Sequence, residues 1–225
     1  MGTHDTVTYE AQFYGDAYYA WQRSAGQLGA ELDNWKFQPF LNPQIAVLDF
    51  GCGGGFMLAA LPASERWGIE VNPVAAREAS TRLDRVVPAI RAIPVDKQFD
   101  AIVSHHALEH VENPLEVLQE LRGKLHPGGR AIFVVPAESW IVRSTYDAGD
   151  VNQHLYTWTP LLLGHLFVRA GYEIESIKVL CHRWPPKPAL VRRLAGGVLF
   201  DWLCRTIAFV TFYRQLRIVA KRPLL

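Results

Sequence analysis

Apolar and polar positions follow two alternating rhythms along the chain. Short continuous apolar runs bounded by glycine, proline or a charge read as buried strands. Stretches with apolar residues three and four apart read as helices. Runs at Ile45–Phe50, Trp67–Val71, Val86–Ile90, Phe99–Ser104, Arg130–Val135, Tyr172–Leu180 and Gln215–Ala220 predict seven strands. The spacing of Leu28, Leu32 and Trp35 predicts helices over roughly 16–39. Others are predicted for Gly55–Leu61, from Asn72-Pro73 onward, over about 114–125, and from Thr159-Pro160 to Ala170. Asparagine suits an N-cap and proline the first helical position, while Gly171 suits a helix end. Pro127-Gly128-Gly129 reads as the turn into the fifth strand. Strands alternating with helices predict an α/β fold with a doubly wound, parallel sheet. Such sheets bind ligands at the carboxyl ends of the strands, where strand order reverses.

The 225 residues are read as a single domain: a helical cap over 1–42, a core over 43–184, a helical insertion over 185–212 and a last strand over 213–225. The cap is rich in aromatics, among them Tyr9, Phe13, Tyr14, Tyr18, Tyr19 and Trp21, and Tyr14 and Tyr19 are read as lid residues over a ligand. The insertion opens with Trp184-Pro185-Pro186-Lys187-Pro188 and then runs apolar, with only Arg192, Arg193, Asp201 and Arg205 charged. It is too interrupted for a membrane span. Its charges scatter around a helical wheel and Gly196-Gly197 weakens the helix. Packing on the body or in a homodimer is the expected role, and a membrane-surface or lipid-substrate role is the minority reading.

Composition narrows the picture further. The net charge of +1 offers no nucleic-acid footprint. Three widely separated cysteines, Cys52, Cys181 and Cys204, form neither a disulfide framework nor a zinc spacing. They suit a reducing compartment, and the protein is expected to be cytoplasmic. The first forty residues do not read as a secretory signal. Met1 to Thr6 matches a short myristoylation pattern, read as a chance match.

The most informative stretch is Val47-Leu48-Asp49-Phe50-Gly51-Cys52-Gly53-Gly54-Gly55-Phe56, where a strand ends in an aspartate and four glycines within five residues. Glycine there lets the backbone approach a ligand. Cys52 reads as a small packed residue. A dinucleotide fingerprint would continue to a glycine at position 56, and Phe56 counts against a nicotinamide oxidoreductase. Nineteen residues after Gly51 comes Glu70, whose carboxylate offers two acceptor oxygens to the hydroxyls of a ribose.

On these residues the sequence resembles the class I S-adenosylmethionine-dependent methyltransferases, and within them the small-molecule group related to ubiquinone biosynthesis. Asp49–Gly55 resembles the first motif and Gly68–Pro73 the ribose-binding motif. Phe99–Val111 resembles the fourth-strand motif, and Leu121–Gly129 the helix and turn before strand five. The resemblance implies S-adenosylmethionine as cofactor, S-adenosylhomocysteine as product, and a Rossmann-like sheet whose seventh strand runs antiparallel. It implies cofactor contacts from Tyr14, Tyr19, Asp49, Gly51, Cys52, Gly53, Glu70, Val71, Asn72, Ser104 and His105. The acidic residue that the family often carries near adenine is absent between Arg85 and Asp96. Contacts around Ile90 to Ile93 would replace it.

The implied reaction is direct displacement of the methyl group by a small-molecule nucleophile, read as an oxygen. A hydroxyl must lose a proton, and histidine, with a pKa of about 6.5, suits that role. His106 and His154 are the candidate catalytic bases among His105, His106, His110 and His154. In a helix His106, Glu109 and His110 would share one face, and some relatives bind a divalent metal at this position, where a downstream histidine such as His154 would complete the site. A histidine in place of their carboxylate disfavours magnesium, so no metal is expected, and a metal-assisted reaction is the alternative. The irregular stretch Pro136–Trp158, with Glu138, Trp140, Arg143, Tyr146, Asp147 and Asp150, is read as bordering the acceptor pocket. A non-catalytic relative acting as an assembly module is a further alternative, against which the intact glycine loop and Glu70 speak.

Overall fold

The computed structural model describes residues 16–137 and 153–224, residues 16–22 by backbone alone. Helices are α1 (Asp16–Leu32), α2 (Phe56–Ala59), α3 (Pro73–Ala79), α4 (Pro114–Gly123), α5 (Pro160–Arg169) and α6 (Pro188–Val210). Strands are β1 (Ala46–Phe50), β2 (Glu65–Ile69), β3 (Arg85–Val87), β4 (Phe99–His105), β5 (Leu125–Pro136), β6 (Glu173–Leu180) and β7 (Gln215–Lys221). They form one sheet in the order β3-β2-β1-β4-β5-β7-β6. Strand β1 lies parallel to β2 and β4, and β2 to β3, while β7 runs antiparallel to both β5 and β6. The expected α/β class, antiparallel last strand and preceding helical insertion are all present. Residues divide after Ser104 into two compact units.

In the first unit the chain winds outward from β1 through β2 to β3, then returns to β4 on the other side of β1. That reversal is the switch point where such sheets bind ligands. Val47, Leu48, Phe99 and Ile102 are fully buried and anchor the two central strands. Asn72 caps α3 by accepting from the N–H groups of Val74 and Ala75, with Pro73 at the first helical position. The helix read over 16–39 ends earlier. After Leu32 the chain turns at Asp33, which receives the Lys36 ammonium at 2.8 Å in a buried ion pair, and two 3₁₀ turns follow. Trp35, expected on the buried stripe, is exposed as a result. Strand β2 begins and ends two residues before the expected span, and the third strand ends at Val87.

In the second unit β7 lies buried between β5 and β6. Phe167 meets Phe133 edge to face and Tyr172 at a tilt, between β5, α5 and the start of β6, with ring centres 5.3–5.4 Å apart. Pro127-Gly128-Gly129, expected as a turn, lies within β5 instead. Gly128 donates to the Arg222 carbonyl and Gly129 accepts from the Arg222 N–H, so pairing continues past the left-handed kink at Gly128. The weak helix signal at Gly196-Gly197 has a structural counterpart: α6 is broken at Gly196, which lies at φ 73°, ψ 171°.

Gly68 fixes how β2 meets the glycine loop. A Cβ there would collide with Cys52 Sγ, and Leu83 closes the other side at 3.0 Å. Cys52 is buried, as read, and burial pushes its thiol well above the ordinary range. Gly68→Ala is expected to lower the unfolding free energy by about 1–3 kcal/mol, measured by denaturant titration. The same change in a Cys52→Ala background should cost less, and equal losses in both backgrounds would exclude the collision as the cause.

Candidate active site

Two backbone hydrogen bonds shape the loop after β1. The N–H groups of Gly51 and Cys52 both donate to the Ile69 carbonyl at 3.0 Å, folding the loop back over β2. Gly51, Gly53 and Gly55 all have positive φ. At Gly55 a Cβ would also press on Ala79 at 3.1 Å, so glycine is required there for packing as well as conformation. At Gly53 nothing lies within 4 Å of where a Cβ would be. The backbone is bare on that side, as an approaching ligand requires. Phe56 starts α2 and receives the Arg82 guanidinium over its ring at 4.1 Å, so the residue that departs from the dinucleotide pattern serves packing.

Glu70 sits just past β2 and grips both neighbouring turns. Its Oε2 accepts from the Gly53 N–H and its Oε1 from the Asn72 N–H, each at 2.8 Å. Both oxygens keep acceptor capacity for a ligand's hydroxyls. Burial pushes the Glu70 carboxyl up, against the pull of the N–H groups of Asn72, Gly53 and Val71. Asp49, at the end of β1, is buried, and burial followed by the nearby Glu70 charge raises its carboxyl to about 7. Open backbone, a held carboxylate and the strand-end position together fit a ligand that carries a ribose.

The other expected contacts divide by location. Val71 is 48% exposed beside Glu70 and presents an apolar surface. The Asn72 side chain caps α3, so its part is to hold the turn that orients Glu70. Ser104 is buried and donates to the Phe50 carbonyl, tying β4 to β1. Ile90 and Ile93, expected as an adenine wall, are buried in the core, leaving Arg91 and Ala92 exposed. Tyr14, the Tyr19 side chain and residues 138–152, including the acceptor-loop residues Glu138 to Asp150, lie outside the described residues.

A second cluster forms in residues 105–225. His105 and His106 meet ring to edge at 4.7 Å where β4 ends. His106 has left-handed backbone, φ 56°, and its N–H donates to the Val134 carbonyl. A side chain in that region costs about 1–3 kcal/mol and concentrates at functional positions. The segment is therefore not the helix that would align His106, Glu109 and His110; a 3₁₀ turn spans Leu108–His110. His106 nevertheless turns back on Glu109, with Nδ1 2.9 Å from Oε1, and its Nε2 meets the Gln215 amide nitrogen at 2.7 Å. With the proton on Nδ1, the ring donates to the carboxylate and accepts from Gln215.

Glu109 is completely buried, and its Oε2 accepts no hydrogen bond among the described residues. Burial pushes its carboxyl up. The hydrogen bond and charge of His106, its own N–H and His110 outweigh that, so the net shift is downward. Burial lowers the His110 imidazole, partly opposed by Glu109. Leu155 and Tyr156 donate their N–H groups to the Glu109 carbonyl, and the Tyr156 hydroxyl donates to the Glu112 carbonyl. These bonds bring His154 to 4.9 Å from the His110 ring, with its Nε2 3.9 Å from Glu109 Oε1. Ligand-type atoms of Glu109, His110 and His154 lie within 4.8 Å of one another. The metal-like group thus includes His154, the downstream histidine expected to complete such a site, and leaves out His106.

Gln215 escaped that reading, being taken only as the start of a strand. It opens β7 opposite Pro136 and Leu180 and also donates to the Tyr213 hydroxyl at 2.7 Å. No local pattern marks it, because His106 comes from a distant part of the chain.

Comparison with known proteins identifies the family and the fold. Residues 22–177 match a family model described as a methyltransferase domain. A ubiquinone biosynthesis O-methyltransferase of Rickettsia felis is 26% identical over 164 residues, covering 62% of this chain. The chain spans 65% of that relative's length, and 55–65% of three similar ones from Rickettsia conorii and Rickettsia bellii. A phosphoethanolamine N-methyltransferase of Haemonchus contortus, solved with S-adenosyl-L-methionine, superposes with a TM-score of 0.65 at 13% identity, over 96% of this chain and 60% of that one. An S-adenosylmethionine-dependent methyltransferase of Mesorhizobium loti gives 0.56 at 18% identity, over 84% and 96%. The chain belongs to the methyltransferase-domain family, and its fold is that of class I S-adenosylmethionine-dependent methyltransferases.

Proposed function

We propose that the protein transfers a methyl group from S-adenosylmethionine to an oxygen of a small-molecule acceptor by direct displacement, releasing S-adenosylhomocysteine. The observation that carries this reading is the Glu70 carboxylate held by Gly53 and Asn72 beside bare backbone at a strand-order reversal. Glu70 and the loop at Gly51–Gly53 hold the donor, with Val71 as its apolar neighbour. The donor supplies a methyl group on a sulfonium leaving group. Relatives named as O-methyltransferases support an oxygen acceptor.

His106 takes the acceptor's proton in this reading. Glu109 on Nδ1 orients the ring and stabilises the imidazolium, leaving Nε2 to act. The acceptor hydroxyl displaces the Gln215 amide from Nε2, so Gln215 holds the ring in place until then. His154 supports Glu109 from the other side. A second reading has a metal ion on Glu109, His110 and His154 polarising the acceptor oxygen, favoured by the closeness of those donors. Imidazole-rich sites suit zinc, iron or copper better than magnesium. The three free cysteines among the described residues support a reducing, cytoplasmic setting.

Three measurements check this. S-adenosylhomocysteine should raise the melting temperature of the intact protein, and Glu70→Ala should abolish the rise; no rise with intact protein would overturn the donor assignment. In a methyl-transfer assay over a panel of hydroxylated acceptors, His106→Gln should lower turnover by about 10²- to 10⁴-fold with donor affinity nearly unchanged. Unchanged turnover removes His106 from the chemistry, and turnover lost on chelation and restored by zinc establishes the metal reading.

The third concerns Asp49, whose carboxyl titrates at about 7 when folded against an ordinary 3.8. The folded protein binds a proton that the unfolded chain releases across that window. Its contribution to stability therefore falls as pH rises from about 4 to about 7. In ligand-free protein the melting temperature of Asp49→Asn minus that of wild type should grow more positive over this range and level off above it. A flat difference would show that Asp49 is not buried in the way described.

A further inference from the structure

We propose that α6 is an interfacial anchor that lays the protein on an anionic membrane surface. The half of α6 after Gly196 buries one stripe, Phe200, Cys204 and Ala208, at four-residue spacing. An ordinary surface helix would be polar on the opposite side. Here that side carries Val198, Leu199, Trp202, Phe209 and Val210, with Thr206 and, at its edge, Arg205 the polar residues among them. Val198 is 90% exposed, Trp202 60% and Phe209 68%. Before Gly196, Leu190 and Leu194 extend the exposed apolar surface one helical turn apart. A helix apolar on both faces has a second apolar environment.

Charge identifies that environment. Residues 183–214 carry Arg183, Lys187, Arg192, Arg193, Arg205 and Arg214 against the single carboxylate of Asp201, a net +5 in a chain whose net charge is +1. Asp201 is itself held by Arg205 at 2.8 Å and lies 3.4 Å from His182. Arg192, Arg193 and Arg205 are exposed. Basic side chains flanking exposed Leu, Phe and Trp match the headgroup layer of an anionic leaflet, where each basic residue adds attraction and Trp rings settle. A two-fold interface with a second copy would set the same cationic patch against itself. No helix among the described residues is long and apolar enough to cross a membrane. The break at Gly196 also divides α6, so the helix lies in the surface rather than through it.

Full-length protein is mixed with vesicles of phosphatidylcholine alone or with equal phosphatidylglycerol, and bound protein is measured by flotation. Binding is expected to the anionic vesicles, to weaken with added salt, and to be small on phosphatidylcholine alone. Trp202→Ser with Phe209→Ser, and separately Arg192→Glu with Arg193→Glu, should each reduce partition by at least about tenfold. Brominated lipid should quench tryptophan emission in wild type and much less in Trp202→Phe. All the changed side chains are exposed, and unchanged melting temperatures would verify folding. Failure to float with either vesicle would overturn the proposal. So would a dimer in sedimentation that Trp202→Ser/Phe209→Ser converts to monomer while vesicle binding stays absent, which would make this face a contact between copies. Neither result bears on the donor site, whose test is S-adenosylhomocysteine binding.

Discussion

A single carboxylate holds the donor loop in place. Glu70 accepts the Gly53 N–H with one oxygen and the Asn72 N–H with the other, so it joins the turn after β1 to the turn after β2. Glycine-rich backbone has few side-chain contacts with which to fix itself, and its conformational freedom is correspondingly large. The charge-assisted bond to Gly53 supplies the restraint that the loop's own residues cannot. In the proposed function the same oxygens are offered to a ribose, so holding the loop and receiving the ligand would fall to one side chain. Asn72 completes the arrangement, since its side chain fixes the start of α3 while its N–H fixes Glu70. Asp49 lies nearby without an ordinary carboxylate's solvation, which is why its carboxyl holds a proton to higher pH.

Glu109 plays a comparable part in the second unit. It is buried completely, yet three imidazoles approach it: His106 by a hydrogen bond, His110 from the next position and His154 at longer range. A buried carboxylate needs such partners, because removing it from water is expensive unless charge or hydrogen bonding compensates. The left-handed backbone of His106 is what lets its ring turn back onto Glu109 three residues later. Both units thus place an acidic side chain at a strand's end and use it to set the geometry of its neighbours.

What could be read from sequence follows how local each feature is. The glycine loop, Glu70 and the Asn72 cap lie within about two dozen positions and leave direct signals, so the local geometry of that loop was legible almost residue by residue. Element ends were less so. Pro127-Gly128-Gly129 has turn chemistry, but Arg222 from far along the chain pairs with it and draws it into β5. Trp35 kept helical spacing beyond the point where the Asp33–Lys36 pair ends the helix. The histidine cluster was legible as a set of candidates and illegible as an arrangement, because His106 leaves helical backbone and Gln215 reaches it from β7. For α6, the wheel of charges gave little. The exposed apolar face appears only once the stripe at Phe200, Cys204 and Ala208 is known to be the buried one.

The place of β7 bears on when each part of the molecule can form during synthesis. Strands β1 to β4 all lie before residue 106, so their pairings are available before β5 is made. Strands β5 and β6, by contrast, have no shared neighbour until β7 arrives between them, about eighty to ninety positions after its partners in β5. Closing so long a loop is slow, and no earlier segment can substitute for it. On a ribosome the donor loop can therefore reach its final shape while β5 and β6 still wait. Gln215, whose amide meets His106, is the first of β7 to emerge, so the histidine cluster is completed by the same event that closes the sheet.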